Sequence, residues 1–188
     1  MELTVTSLIL ILGALSVLLK IIDYSTRKKS CGIPAKVMAV LGSGGHTREM
    51  IAIMKSLSRD AFSPRIYVYT KNDQLSRVKA EQMEGSATPD VVFKEIHRSR
   101  EVGQSYVTSV FTTIYSMFGS FLVVYSNRPD VIICTGPGVC VPIVYSAVIL
   151  KVLGVLDTRI IFVESMCRVK SLSLTGRLVF PVVMEMLD

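Results

Sequence analysis

Tryptophan is absent from this 188-residue chain, histidine occurs twice, and none of the four cysteines belongs to a CxxC pair. No histidine stands at ligand spacing from Cys31, Cys134, Cys140 or Cys167, so the common structural zinc motifs are not expected. Cys134 and Cys167 fall in or beside apolar runs, where a reduced thiol behaves as a small hydrophobe. That argues against a disulfide framework and suits the cytosol. No aromatic-and-basic repeat accompanies the formal charge of +6, which sets nucleic acid aside as a partner. Internal repeats and low-complexity linkers are missing as well.

Charge is missing from three stretches, residues 3–19, 102–127 and 131–150. The first spans roughly 25 Å as a helix, slightly short of an average bilayer core, and Ile21 and Ile22 extend it past a Lys20 able to snorkel. A cleaved signal peptide would need a basic amino end and a small-x-small site, whereas Met1-Glu2 opens the chain and Arg27, Lys28 and Lys29 follow the run. The reading is a membrane anchor over residues 1–22 and a basic linker over 23–35. Residues 36–188 then form one cytosolic domain, because Lys/Arg excess marks the cytoplasmic flank. A mean hydropathy of +0.49 agrees with lipid contact. The positive excess lies outside the anchor and points to an anionic neighbour such as headgroups or phosphates.

From residue 36 short apolar runs alternate with helical patterns. Strands are expected over 36–41, 65–70, 91–96, 130–134 and 159–163. Helices are expected after Thr47 as N-cap, where Met50, Ile51, Met54 and Leu57 recur at helical spacing, and over 74–83 and 139–153. Such alternation implies right-handed crossovers and an α/β fold with an open, doubly wound parallel sheet. The 131–150 stretch is broken by Gly136-Pro137-Gly138, which suits strand, loop and helix better than a span. The 102–127 stretch carries Ser and Thr on its early turns and reads as a long buried helix with an apolar face toward the bilayer.

Ligands of open parallel sheets bind at the carboxyl ends of strands. Two glycine-rich turns stand at such ends: Gly42-Ser43-Gly44-Gly45-His46-Thr47 and Thr135-Gly136-Pro137-Gly138. Bare backbone amides and a helix dipole favour an anion there, and two such turns in one sheet favour phosphate. A dinucleotide site fits less well, since the third glycine is missing and Thr70-Lys71 supplies no acidic residue for a ribose. No Gly-Lys-Ser/Thr follows either turn, which removes a Walker site. His46 is either a general base toward a sugar hydroxyl or a phosphate-orienting group. The run from His97 through Arg98 and Arg100 to Glu101 is either a solvated loop or a basic clamp for a diphosphate. Glu164 is either a loop cap or an acceptor for sugar hydroxyls.

The segment Val40 to Thr47, the run Cys134 to Gly138, Arg98-Ser99-Arg100-Glu101 and the stretch Val163 to Val169 together resemble one family. It is the membrane-anchored subunit of the UDP-N-acetylglucosamine transferase acting second in dolichol-linked oligosaccharide assembly. That family is similar to the amino-terminal half of the bacterial lipid II glycosyltransferase, a GT-B enzyme with a Rossmann-like domain. The resemblance runs to about Phe180 and implies an acceptor-binding half whose UDP-GlcNAc is held by a separate soluble catalytic subunit. The implied reaction is transfer of GlcNAc to GlcNAc-diphosphate-dolichol at the endoplasmic reticulum membrane, with His46 near the acceptor 4-hydroxyl and neither metal nor other cofactor. Members of the family continue past residue 188, so a shortened carboxyl end lacking the final strand is expected. The rival readings are a membrane scaffold that touches no substrate and a membrane-bound dinucleotide oxidoreductase.

Overall fold

The stretches read as buried strands pair side by side in parallel, and the reason lies in their composition. Val37–Val40 (β1), Arg65–Thr70 (β2) and Val131–Thr135 (β4) are buried at every position, as strands covered by helices on both faces must be. Val91–Ile96 (β3) and Arg159–Val163 (β5) flank them with partial burial. The computed structural model describes residues 32–85, 88–98, 106–165, 171–183 and 185–187. The anchor expected over 1–22, the linker up to Cys31, and Ser99, Arg100, Glu101 and residues 166–170 lie outside the described residues.

The described sheet runs in the order β3-β2-β1-β4-β5-β6, with every pairing parallel. Its last strand is Glu185–Leu187 (β6), paired with β5 from Ile161 to Val163. A final strand was not expected. Its three residues carry a glutamate and are too few to declare a period of two. The helices are Gly45–Ser56 (α1), Gln74–Glu84 (α2), Tyr106–Asn127 (α3), Cys140–Val152 (α4) and Leu174–Val179 (α5).

Alternation along the strands divides the core in two. Val37, Ala39 and Leu41 with Tyr67 and Ile133 meet Met50 and Met54 of α1 and Ala80 of α2. Met38, Val40, Ile66, Ile132 and Phe162 face Val124 of α3 and Ile143, Val144 and Leu150 of α4. A one-residue slip of any strand exchanges these sets, so burial on both sides fixes the register. Chain winding moves outward from β1 to β3. It then returns through α3, whose 22 residues carry the chain back across two strands to β4.

Helix α3 is inverted relative to an ordinary surface helix. Ser116 and Ser120 are buried, whereas Phe111, Ile114, Tyr115, Phe118, Leu122 and Tyr125 are exposed. Among the described residues no helix is long and apolar enough to cross a membrane.

One charged cluster sits inside the first half. Glu84, at the end of α2, receives Arg65 Nη1 at 3.0 Å and is also bonded by Arg59 and the Tyr67 hydroxyl. Arg65 also donates to the carbonyls of Met54 and Leu57, closing the end of α1. Burial first, and the neighbouring Glu84 carboxylate second, push the Tyr67 phenol well above its ordinary value.

Candidate functional site

Between β1 and β4 the winding reverses, and the crevice outside the carboxyl ends of those strands is where sheets of this kind bind ligands. Both glycine-rich turns open there, one leading from β1 into α1 and the other from β4 into α4. They touch. A Cβ added to Gly42 would lie 2.5 Å from Pro137 Cγ, and one added to Gly136 would lie 2.5 Å from His46 Cε1. Thr135 Oγ1 donates to the His46 carbonyl at 3.4 Å. Glycine at 42 and 136 therefore lets the two turns close on each other.

Helix α1 starts earlier than the sequence suggests. Gly44, at φ 69°, is its N-cap, and no side chain caps that end. Thr47 is a correction to the expectation of an N-cap. It stands one turn inside, fully buried, and its hydroxyl donates to the Gly42 carbonyl. Ser76 Oγ lies 2.5 Å from the Thr47 hydroxyl and donates to Asp73 at 2.6 Å. Asp73 in turn caps α2 by accepting from the Ser76 amide. The glycine turn is thus tied from below to a second helix. A sharp glycine bend frees the first amides of α1 to face the crevice, because only glycine adopts Gly44's backbone at no steric cost.

Ser43, Gly44, Gly45 and Gly138 are exposed, and among the described residues a Cβ at Gly45 or Gly138 would meet nothing within 4 Å. Internal packing therefore does not demand glycine at either position. Helix α4 likewise has no side-chain cap, although Cys140 N and Val141 N bond back to Pro137 O and Gly138 O. Cys134 and Cys140 are free and buried, and burial, ahead of the contact with Cys134, pushes the Cys140 thiol up. A helix amino terminus alone would do the reverse, so Cys140 is a packing residue rather than a nucleophile.

His46 lies at the mouth of the crevice with a third of its side chain exposed. Its Nδ1 is 3.3 Å from Glu49 Oε2, one helical turn on, and Glu49 Oε1 accepts from Ser165 Oγ at 2.7 Å. Neither Glu49 nor Ser165 was singled out in the sequence. The i,i+3 spacing of His46 and Glu49 was readable, but the meeting with Ser165 from the loop after β5 needed the fold. Glu164 is buried and bonds to the backbone as a loop cap does. Its two carboxylate oxygens accept from the amides of Ser165 at 3.2 Å and Ser173 at 2.9 Å, which fixes the start of α5. Arg98 is exposed just past β3, two strand spacings, about 10 Å, from β1. Its neighbour His97 is held by α3 through Ser116 Oγ on its carbonyl at 2.9 Å and an edge contact with Tyr115. Arg100 lies outside the described residues.

The arrangement offers bare amides at one helix end, a second glycine turn against it, and an imidazole beside both. It suits an anionic group with a hydroxyl presented next to it. Residues 37–187 match the protein family described as "Oligosaccharide biosynthesis protein Alg14 like". The mouse UDP-N-acetylglucosamine transferase subunit ALG14 is 46% identical over 152 residues, 76% of this chain and 70% of that protein. The human protein of the same name is 40% identical over 172 residues, 87% of this chain and 77% of the relative. The corresponding subunit of Schizosaccharomyces pombe is 37% identical over 184 residues, 95% and 87% of the two chains. Among solved structures, MurG of Acinetobacter baumannii superposes with a TM-score of 0.60 at 17% identity, a likeness of fold. That match covers 81% of this chain and 41% of the MurG chain.

Proposed function

Because the chain belongs to the Alg14 family, we propose that it is the acceptor-binding, membrane-anchoring subunit of a two-chain N-acetylglucosaminyltransferase. It adds the second GlcNAc, from UDP-GlcNAc, to GlcNAc-diphosphate-dolichol on the cytosolic face of the endoplasmic reticulum. The observation that carries this reading is the contact between the two glycine turns at the switch point, with His46 beside them. The amides of Gly44, Gly45, His46 and Thr47 at the start of α1, with the Gly136–Gly138 turn opposite, cradle the diphosphate of the acceptor. Arg98 adds positive charge from the side of β3, and Arg100, two residues further along the sequence, is the second candidate for that role. His46 serves as the base for the acceptor hydroxyl.

A soluble partner supplies the donor-binding half. The relatives' name, a UDP-N-acetylglucosamine transferase subunit, supports such a partner. The inverted face of α3 supports membrane seating, since Phe111, Tyr115 and Phe118 suit the lipid boundary better than water. The test is reconstitution on a short-chain GlcNAc-diphosphate-lipid. The chain alone transfers nothing, and adding the soluble UDP-GlcNAc-binding subunit restores transfer. No transfer from the pair, or full transfer by the partner alone, overturns the proposal.

A further inference from the structure

The Glu49 carboxylate faces the His46 ring on one side and the Ser165 hydroxyl on the other. An ionised carboxylate only accepts hydrogen bonds, so the imidazole nitrogen facing it carries the proton and the far nitrogen does not. We propose that Glu49 is a positioning residue that holds His46 as the Nδ1–H tautomer and presents an unprotonated Nε2 to the acceptor. This rests on the reading of His46 as base under Proposed function.

Three structural features support it. Glu49 Oε2 lies 3.3 Å from His46 Nδ1, a contact between groups 17% and 33% exposed, so it is shielded but the ring is reachable. Glu49 Oε1 is held at 2.7 Å by Ser165 Oγ, from a loop 116 residues further along the chain, which fixes the carboxylate relative to the ring. Gly136 leaves room for the Cε1 edge of the imidazole, since even a methyl group there would lie 2.5 Å from Cε1 and 3.0 Å from Nδ1. The ring is thereby confined by α1, by the β4 turn and, through Glu49, by the loop after β5.

The acceptor hydroxyl gives its proton to His46 Nε2 while its oxygen forms a bond to C1 of the GlcNAc. The bond from C1 to the UDP oxygen breaks, and the electron pair leaves with UDP. His46 becomes an imidazolium whose second N–H points at Glu49, so the carboxylate stabilises the charge created by the transfer. Carboxylates that orient metal-bound histidines through the second ring nitrogen change activity by about 10–100-fold when removed, and a loss of the same order is expected here.

The test uses the full chain, with the soluble partner for kinetics and in micelles for spectroscopy. Glu49→Ala is expected to lower kcat about 10–100-fold with the acceptor KM changed less than about twofold. Glu49→Gln retains an acceptor oxygen but no charge, and is expected to fall between the two. Nitrogen-15 NMR of the histidine-labelled chain, which holds only two histidines, is assigned with His97→Gln and reads the tautomer directly. It should show Nδ1–H at His46 in the wild type and in Glu49→Gln, and a shift toward Nε2–H in Glu49→Ala. Wild-type kcat in Glu49→Ala while His46→Ala is inactive overturns the inference and spares the function. Activity retained in His46→Ala overturns the base reading instead, and the tautomer measurement then still decides for or against Glu49. A His46 tautomer indifferent to Glu49→Ala overturns the inference in either case.

Discussion

Replacing Gly136 by alanine separates the stability of the site from its geometry. Gly136 has φ 50°, a left-handed conformation that costs an L-residue about 1–2 kcal/mol. For a chain of this size 1 kcal/mol corresponds to about 2–4 °C in Tm, so a fall of roughly 2–8 °C is expected. The new methyl group would start 2.5 Å from His46 Cε1 and 3.0 Å from Nδ1. Carbon atoms make contact near about 3.5–4.0 Å, so the ring has to retreat by about 1 Å. The obstructing atoms are the far end of a side chain, which can turn away at little further cost to folding. Activity has no such escape, because a misplacement of about 1 Å costs about 100-fold. The assay is transfer to a short-chain GlcNAc-diphosphate-lipid with the partner present, beside thermal unfolding of the same preparation. Gly154→Ala is the control for backbone strain, since Gly154 also has a positive φ, 73°, and a methyl group there meets nothing within 4 Å among the described residues. A Gly136→Ala variant with wild-type kcat would refute the reasoning that the two turns position His46 together.

Other outcomes follow from the same contacts. Glu84→Ala strands the buried Arg65 and is expected to cost about 3–5 kcal/mol, read by chemical or thermal unfolding. Thr47→Val removes the hydroxyl bonded to the Gly42 carbonyl and should cost about 1–3 kcal/mol, with loss of transfer as the turn loosens. The raised phenol of Tyr67 contributes stability that is complete below its ordinary value of about 10 and is lost as pH rises above it, by at most about 1.4 kcal/mol per pH unit. Tyr67→Phe should flatten that alkaline limb of the unfolding curve. A photoactivatable side chain at Phe118 of the full chain in microsomes should crosslink to lipid, and one at Ser120, on the buried side, should not.

The strands were legible because β1, β2 and β4 are short runs with apolar centres, and both glycine turns announced the ends of β1 and β4. What local pattern does not encode is which strands lie side by side. That Gly42 meets Pro137 follows from α3 carrying the chain back past β2 and β1, a pairing over roughly ninety residues. Thr47 looked like a cap because Thr favours that role, but two glycines before it allowed the helix to begin sooner. Glu164 and Glu49 show how much of a side chain's surroundings only the fold supplies. The residue closing β5 is spent on two amides, and the unremarked one on α1 faces the histidine. The Arg65–Glu84 pair was missed because charged residues are ordinarily read as surface.

In the proposed function, backbone amides of two neighbouring turns hold the acceptor's diphosphate. The most direct measurement is a titration of the glycine-labelled full chain in micelles with a short-chain GlcNAc-diphosphate-lipid, following amide shifts by NMR. The amides of Gly44, Gly45 and Gly138 should move together and saturate, while Gly85 and Gly154, far from the crevice in sequence and function, stay still. Shifts spread evenly over all glycines, or none at Gly44 and Gly45 at concentrations that support transfer, would contradict it.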